Sequence, residues 1–152
     1  PVPRLTHLGE ELQQLALGYD RVVLDLGAGI DRTVRTLASW AGTTLVVTTA
    51  DPTALTDAYA FIKLTLQGDP GADIRIIVNM VDSVSEGQRT YQTLLKACQS
   101  FLKASPPLAG IIRRDRKVAD AIRNQTSILL RSPNSDAARD VENLLESLLE
   151  PQ

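Results

Sequence analysis

The sequence predicts an α/β fold, a mostly parallel, doubly wound sheet with helices on both faces. Short runs of β-branched and aliphatic residues alternate along the chain with segments of helical periodicity. Strands that alternate with helices pair in parallel through right-handed crossovers, which places helices on both faces of one sheet. The chain has 152 residues, the length of one ordinary domain, so we expect a single α/β domain over residues 1–152.

Four short apolar runs, each bounded by turn residues, are predicted to be buried strands. They are rich in valine, isoleucine, leucine and threonine, and the β-branched residues among these suit a pleated, half-buried surface. The predicted strands are residues 21–26, 43–49, 74–80 and 108–112.

Helices are predicted where apolar residues recur at spacings of three and four. Glycine or proline follows several of these segments and should end them. The predicted helices are residues 5–18, a short one over 34–41, one from 52 or 53 to 68, one over 85–103, a short one over 118–122, and a last one capped by Asn134 or Ser135.

Composition excludes several classes of protein. Apolar residues make up 43% of the chain and charged residues 22%, which is enough to form a core. The net charge of −2 provides no overall positive field, so we expect no direct binding to nucleic acid. Cys98 is the sole cysteine and His7 the sole histidine, so a disulfide framework and a His/Cys metal site are excluded. A cytoplasmic location is the expectation.

Polar and glycine residues follow the four predicted strands. In open parallel sheets, ligands bind outside the carboxyl ends of the strands. The sequence therefore predicts a binding site at this edge, built from the segments Asp25–Gly29, Thr48–Pro52, Asn79–Asp82 and Arg113–Asp115.

Each candidate at that edge has two interpretations. Asp25 could hold a magnesium-bound water and the glycines after it could approach a phosphate, or Gly27 and Gly29 could only form a tight turn. Asn79 could bind the edge of a purine or cap the following turn. Asp115 could contact a ligand or only cap the next helix.

One resemblance is to the class I methyltransferases that use S-adenosylmethionine. Val23–Gly29 resembles their first motif, and Asp51 falls where their ribose-binding acid lies. Asp31, however, stands where a third glycine is usual, and no downstream segment resembles their catalytic strand.

A second resemblance extends over residues 5 to about 149. Tyr19–Ile30 resembles the Walker B and switch II segment of the MinD/ParA-type (SIMIBI) P-loop ATPases, in the Gly-Ala-Gly form of the flagellar-number regulators FlhG and FleN. Three more segments resemble that family in the same order: Thr48–Tyr59, Ile77–Asp82 and Gly110–Ile122. Because four segments agree in order, we favour this family, as the C-terminal part of its ATPase domain.

The second resemblance implies ATP and Mg²⁺ as the cofactors of the intact protein. It implies catalytic roles near the γ-phosphate for Asp25 and Gly29, with Asp25 binding the metal through water. Asn79, Arg113 and Asp115 fall in the segments that surround the adenine. The chain departs from the family's pattern in having Met80 where arginine is usual and Arg113 where proline is usual.

The P-loop of the family is not found in this sequence. None of the four lysines follows a glycine, so there is no Gly-Lys-Thr phosphate loop. We therefore expect the chain alone neither to hydrolyse ATP nor to bind it tightly, because most contacts to a triphosphate come from that loop. A missing central strand should also leave unpaired sheet edges.

The family resemblance further implies a nucleotide-dependent homodimer that acts on a regulatory protein partner. Its role would be to control the position or number of flagella, division sites or partitioned structures. Peripheral association at the inner membrane is also implied, but the last helix here is acidic, not basic. A catalytically inactive interaction module is the remaining alternative.

Overall fold

A computed structural model describes the backbone of residues 2–149 and the side chains of residues 7–149. Its sheet has three parallel strands in the order β1-β2-β3. They are β1 (Thr44–Thr48), β2 (Ile74–Val81) and β3 (Leu108–Arg113). The structure therefore confirms three of the four predicted strands and their parallel pairing.

The helices follow the predicted order, with one addition. The short helix α6 was not predicted, because four residues carry too little periodicity to be recognised. The helices are α1 (Val2–Ala16), α2 (Arg32–Ala38), α3 (Pro52–Gly68), α4 (Val84–Leu102), α5 (Arg116–Arg123), α6 (Ile128–Arg131) and α7 (Asp136–Leu149).

Side-chain caps fix where several helices begin. Asp31, Asp51 and Ser83 accept hydrogen bonds from backbone N–H groups in the first turns of α2, α3 and α4. Ser135 accepts from the N–H of Ala138, which confirms the predicted cap of the last helix. These caps satisfy N–H groups that have no partner within the helix.

The predicted strand over residues 21–26 is wrong. This segment has no regular secondary structure, and Val23 is 89% exposed. An apolar run becomes a strand only where a neighbouring strand supplies the hydrogen-bond ladder. β1 pairs with β2 on one side, and within residues 2–149 no strand pairs with its other edge.

Helices cover both faces of the sheet, as predicted. On β3, the side chain of Ile111 lies against Gly87 of α4, whereas Gly110 lies against Leu144 of α7. Consecutive strand residues face opposite sides of a sheet, so α4 and α7 pack on opposite faces. α3 packs against β1 and α4.

The core lies between the sheet and the pair of helices α3 and α4. Cys98 is fully buried there, as its place on an apolar helix face predicts. The opposite face of β1 is less covered, since Leu45 and Val47 are exposed while Val46 is buried. The remaining buried members of the core are Ala58, Ile62, Ile74, Ile76, Val78, Val81 and Leu94.

The close approach of α4 to β3 predicts that Gly87→Ala destabilises the protein. A Cβ at this position would lie 2.5 Å from Cγ2 of Ile111. Overpacking of this kind should lower the free energy of unfolding by about 1–3 kcal/mol, measured by urea denaturation. Gly68→Ala is the matched control, because nothing lies within 4 Å of its added Cβ. Equal stability of the Gly87 variant and the wild type would contradict the packing described.

Candidate functional site

A cleft of about 380 Å³ lies at the carboxyl edge of the sheet. Three of the four segments predicted to form a site there contribute to it. The fourth, Asp25–Gly29, does not line the cleft. The lining residues are Thr49, Ala50, Asp51, Met80, Asp82, Glu86 and Arg114.

The end of β2 has an irregular backbone. Met80 has a φ of 57°, in the left-handed region, and the register between β2 and β3 shifts between Asn79 and Val81. Such a conformation costs a non-glycine residue on the order of 1–3 kcal/mol and is found most often at functional sites. The turn exposes the side chain of Met80 in the cleft.

The side chain of Asn79 supports this turn with one of its two polar groups. Its Oδ1 accepts a hydrogen bond of 2.9 Å from the N–H of Met80. Among the described residues, its NH₂ group donates to no protein acceptor. The capping interpretation of Asn79 is therefore correct for the carbonyl, and two N–H donors remain for a ligand.

Arg114 joins the ends of β2 and β3 across the cleft. Its guanidinium donates to the backbone oxygen of Met80 at 3.2 Å and lies 3.4 Å from Oδ1 of Asp82. Glu86 in turn accepts from the N–H of Asp82 at 2.7 Å. Sequence analysis did not select Arg114 from its charged run, because only the strand register places it beside Met80.

Arg113 is directed to α7. Its Nε and Nη2 atoms donate to the two oxygens of Asp140, each at 2.9 Å, and its backbone N–H also donates to Asp140 at 2.9 Å. A further ion pair of 3.0 Å joins Arg113 to Asp136. The hydrogen bond to Asp140 raises the pKa of Arg113 above its ordinary value. This guanidinium is thus used within the fold.

Asp115 caps α5, as its second interpretation predicted. It accepts from the N–H of Lys117 at 2.8 Å and from the N–H of Ala137 at 3.4 Å. The hydrogen bond from Lys117 is the main reason that the pKa of Asp115 is lowered. The loop after β3 is therefore attached to the start of α7 by both Arg113 and Asp115.

Asp25 and Gly29 lie outside regular structure and are exposed. Gly29 has a φ of 140°, which residues with a side chain rarely adopt. Asp51 lines the cleft but also caps α3 through hydrogen bonds from the hydroxyl and N–H of Thr53, which lower its pKa. His7 is exposed beside Glu10 and Glu11, as a surface residue.

Comparison with known sequences finds one matching family and two similar proteins. The family model described as cellulose biosynthesis protein BcsQ matches residues 2–149. The chain is 33% identical over 136 residues to the antiactivator FleN of Pseudomonas aeruginosa, covering 88% of this chain and 49% of FleN. It is also 33% identical over 136 residues to the flagellum site-determining protein YlxH of Helicobacter pylori, covering 86% of this chain and 45% of YlxH.

The fold of this chain is also similar to that of several solved structures. The MinC:MinD cell division protein complex of Aquifex aeolicus superposes with a TM-score of 0.78 at 20% identity, covering 97% of this chain and 60% of that one. A ParA family ATPase from Chlorobium tepidum gives 0.75 at 21% identity, covering 96% and 57%. MinD of Pyrococcus horikoshii, solved with Mg-ADP, gives 0.72 at 19% identity, covering 94% and 56%.

The fold, the cleft at the carboxyl edge and these similarities define a protein of the MinD/ParA class. Within that class, the chain belongs to the family of the cellulose biosynthesis protein BcsQ. It spans about half the length of the curated relatives it matches. Family membership decides between the two resemblances in favour of the ATPase family over the methyltransferases.

The attachment of β3 to α7 predicts unequal effects at its two carboxylates. Asp140 is 7% exposed, so Asp140→Ala leaves Arg113 without its main partner inside the fold. We expect a loss of about 3 kcal/mol in the free energy of unfolding. Asp136→Ala, at a 61% exposed side chain, should cost less than about 1 kcal/mol. Thermal and urea unfolding measure both, and equal losses would contradict the assigned geometry.

Proposed function

We propose that the chain is the base-binding part of a MinD/FlhG-type ATPase domain. The observation that carries this proposal is the side chain of Asn79 at the carboxyl edge of β2, whose NH₂ group donates to no acceptor within residues 7–149. A donor of this kind suits a ring nitrogen of a purine. The similarity to FleN and YlxH supports a regulator of the MinD/FlhG type.

The described residues fit the base of a nucleotide better than its phosphates. The cleft is lined by Asp51, Asp82 and Glu86, which repel a triphosphate. Its cationic group, Arg114, already lies beside Asp82. Within residues 7–149, no group of three or more His, Cys, Asp or Glu side chains could hold a metal ion. The phosphate and metal contacts would therefore need the P-loop that this sequence lacks.

Each predicted site residue has a proposed role in the complete domain. Asn79 and the backbone beside Asp115 would bind the base, and Arg113 would hold that loop through its contacts to α7. Asp25 would bind Mg²⁺ through water, and the N–H of Gly29 would lie near the γ-phosphate. Mg-ATP, when bound, would supply the terminal phosphate whose hydrolysis resets the switch.

The regulatory role that we propose is that of a nucleotide-dependent dimerisation switch. Such a homodimer would act on a regulatory protein and control the position or number of flagella, division sites or partitioned structures. Support comes from the similarity to YlxH, a flagellum site-determining protein, to FleN, an antiactivator, and to MinD in its cell division complex with MinC. None of the helices between residues 2 and 149 is long and apolar enough to cross a bilayer. A cytoplasmic protein with peripheral contact to the inner membrane would suit this role.

The first functional prediction concerns nucleotide affinity. A few neutral hydrogen bonds at about 0.5–1.5 kcal/mol each would give the 152-residue chain a millimolar affinity or weaker for ATP with Mg²⁺. Isothermal calorimetry tests the affinity, and NMR with AMP tests whether the Asn79 side-chain amide shifts. Asn79→Leu should abolish that weak binding, whereas Asn143→Leu, on the exposed face of α7, should not. Micromolar ATP binding would mean that another phosphate site exists.

The second functional prediction concerns Asp25. In a polypeptide that adds a Gly-Lys-Thr P-loop upstream, Asp25→Ala should abolish ATP hydrolysis without changing the melting temperature, because Asp25 is exposed. Glu142→Ala is the control, since Glu142 is an exposed carboxylate of α7, outside the segments assigned to the site. Undiminished hydrolysis in the Asp25 variant would assign that residue a purely structural role.

A further inference from the structure

The segment of residues 116–135, here called the α5–α6 excursion, leaves and rejoins the body of the protein at one point. Asp115 accepts hydrogen bonds from Lys117 at its start and from Ala137 just after its end. An ion pair of 3.0 Å between Asp120 and Arg131 holds its two short helices together. The excursion is therefore a segment whose two ends both contact Asp115, at the carboxyl edge of the sheet.

The excursion carries a charge opposite to that of the rest of the chain. It contains four basic residues and one acidic residue, a net charge of +3. The remainder contains 12 basic and 17 acidic residues, a net charge of −5. The overall charge of −2 is thus the sum of a basic α5–α6 excursion and an acidic remainder.

Most of this positive charge is available to a partner. Arg116, Lys117 and Arg123 are exposed and form no ion pair within the part of the chain that the structure describes. Arg116 and Arg123 are seven residues apart, so they lie on the same side of α5. A partner that covered these cations without offering negative charges would remove them from water at a high cost in free energy. An uncharged or basic partner surface is therefore disfavoured.

Two aliphatic side chains accompany these cations. Ile122 is 70% exposed and Leu130 is 80% exposed, one on each helix of the excursion. Exposed apolar residues are common singly. Here one lies on each of the two helices that the Asp120–Arg131 ion pair joins, and each is next in the chain to an arginine. Arginine is enriched at protein interfaces.

We propose that the α5–α6 excursion is a docking surface for an acidic amphipathic segment of a partner protein. Carboxylates of that segment would pair with Arg116 and Arg123, and its apolar residues would cover Ile122 and Leu130. The excursion contains no aromatic residue on which a base could stack. It also presents two aliphatic side chains, less than the continuous apolar face with which a helix lies in a membrane surface. A protein segment is therefore the favoured occupant.

This surface lies outside the cleft, although Arg116 directly follows Asp115, whose neighbouring backbone is proposed to contact the base. Arg114 is the residue nearest in sequence that lines the cleft, and none of the residues of the excursion contributes to it. The following experiments need no nucleotide, so failure of either proposal leaves the other standing.

The charge half of the proposal is tested by fluorescence anisotropy with the full 152-residue chain. The probe is a labelled 18-residue helical peptide of glutamate and leucine, with leucines at spacings of three and four. Arg116→Glu with Arg123→Glu should weaken its binding by about tenfold or more, and added salt should weaken wild-type binding. Lys63→Glu with Lys96→Glu makes the same charge change at exposed sites elsewhere and should have a much smaller effect.

The apolar half uses Ile122→Ser with Leu130→Ser. This pair should also weaken binding, without changing the salt dependence, whereas Phe101→Ser, at another exposed apolar side chain, should not. Circular dichroism melting verifies that each variant folds, and Arg116→Gln with Arg123→Gln is the milder charge variant if the glutamates unfold α5.

Three outcomes would overturn the proposal. The first is equal loss of peptide binding in the Lys63 and Lys96 control. The second is tighter binding to vesicles of three parts phosphatidylcholine and one part phosphatidylserine, or to a 20-base-pair duplex, than to the peptide. The third is a self-association, seen by sedimentation, that Arg116→Glu with Arg123→Glu removes, since the occupant would then be a second copy of this chain.

Discussion

The structure depends on the central strand β2, which pairs with a parallel strand on each side. Ile76 and Val78 of this strand are almost completely buried, because helices pack over it and the ladders close both of its edges. β2 also sets the register of β1 and β3, and so brings Asp51 and Arg114 to the same cleft as Met80. Parallel pairing requires the long crossovers that α3 and α4 provide. The position of the cleft therefore follows from the hydrogen-bonded pairing of β2 with its two neighbouring strands.

At the edge of that sheet, an ion pair between the half-buried Arg113 and the buried Asp140 determines where a loop lies. Arg113 stands where the resembled family has proline, and its guanidinium and N–H are bound by Asp140 of α7. A proline at this position would restrict the backbone through its ring. In this protein, charge-assisted hydrogen bonds to Asp140 of α7 hold the backbone instead. Asp115 adds a second attachment to the same helix. The loop that would border a nucleotide base is thus fixed by α7, although α7 itself lines no part of the cleft.

The edge strand β1 is less well covered than the rest of the sheet. Within residues 2–149, β1 has one partner strand, and Leu45 and Val47 on its second face are exposed. The expected unpaired edge is present in the described residues, and the apolar run over residues 21–26 lies outside the ladder. This explains why Asp25 and Gly29 are separated from the cleft that the other three predicted segments form.

Local patterns in the sequence determined most of the helices, three strands and the caps at Asp115 and Ser135, because periodicity and capping act over a few residues. They also identified the edge at which polar residues gather, including Asn79. Only the tertiary structure decided the status of residues 21–26, since a strand exists by virtue of a neighbour. It also decided that Arg113 faces α7 while Arg114 faces the cleft, and that Met80 is left-handed. Those outcomes depend on register and on partners distant in sequence, which no local pattern encodes.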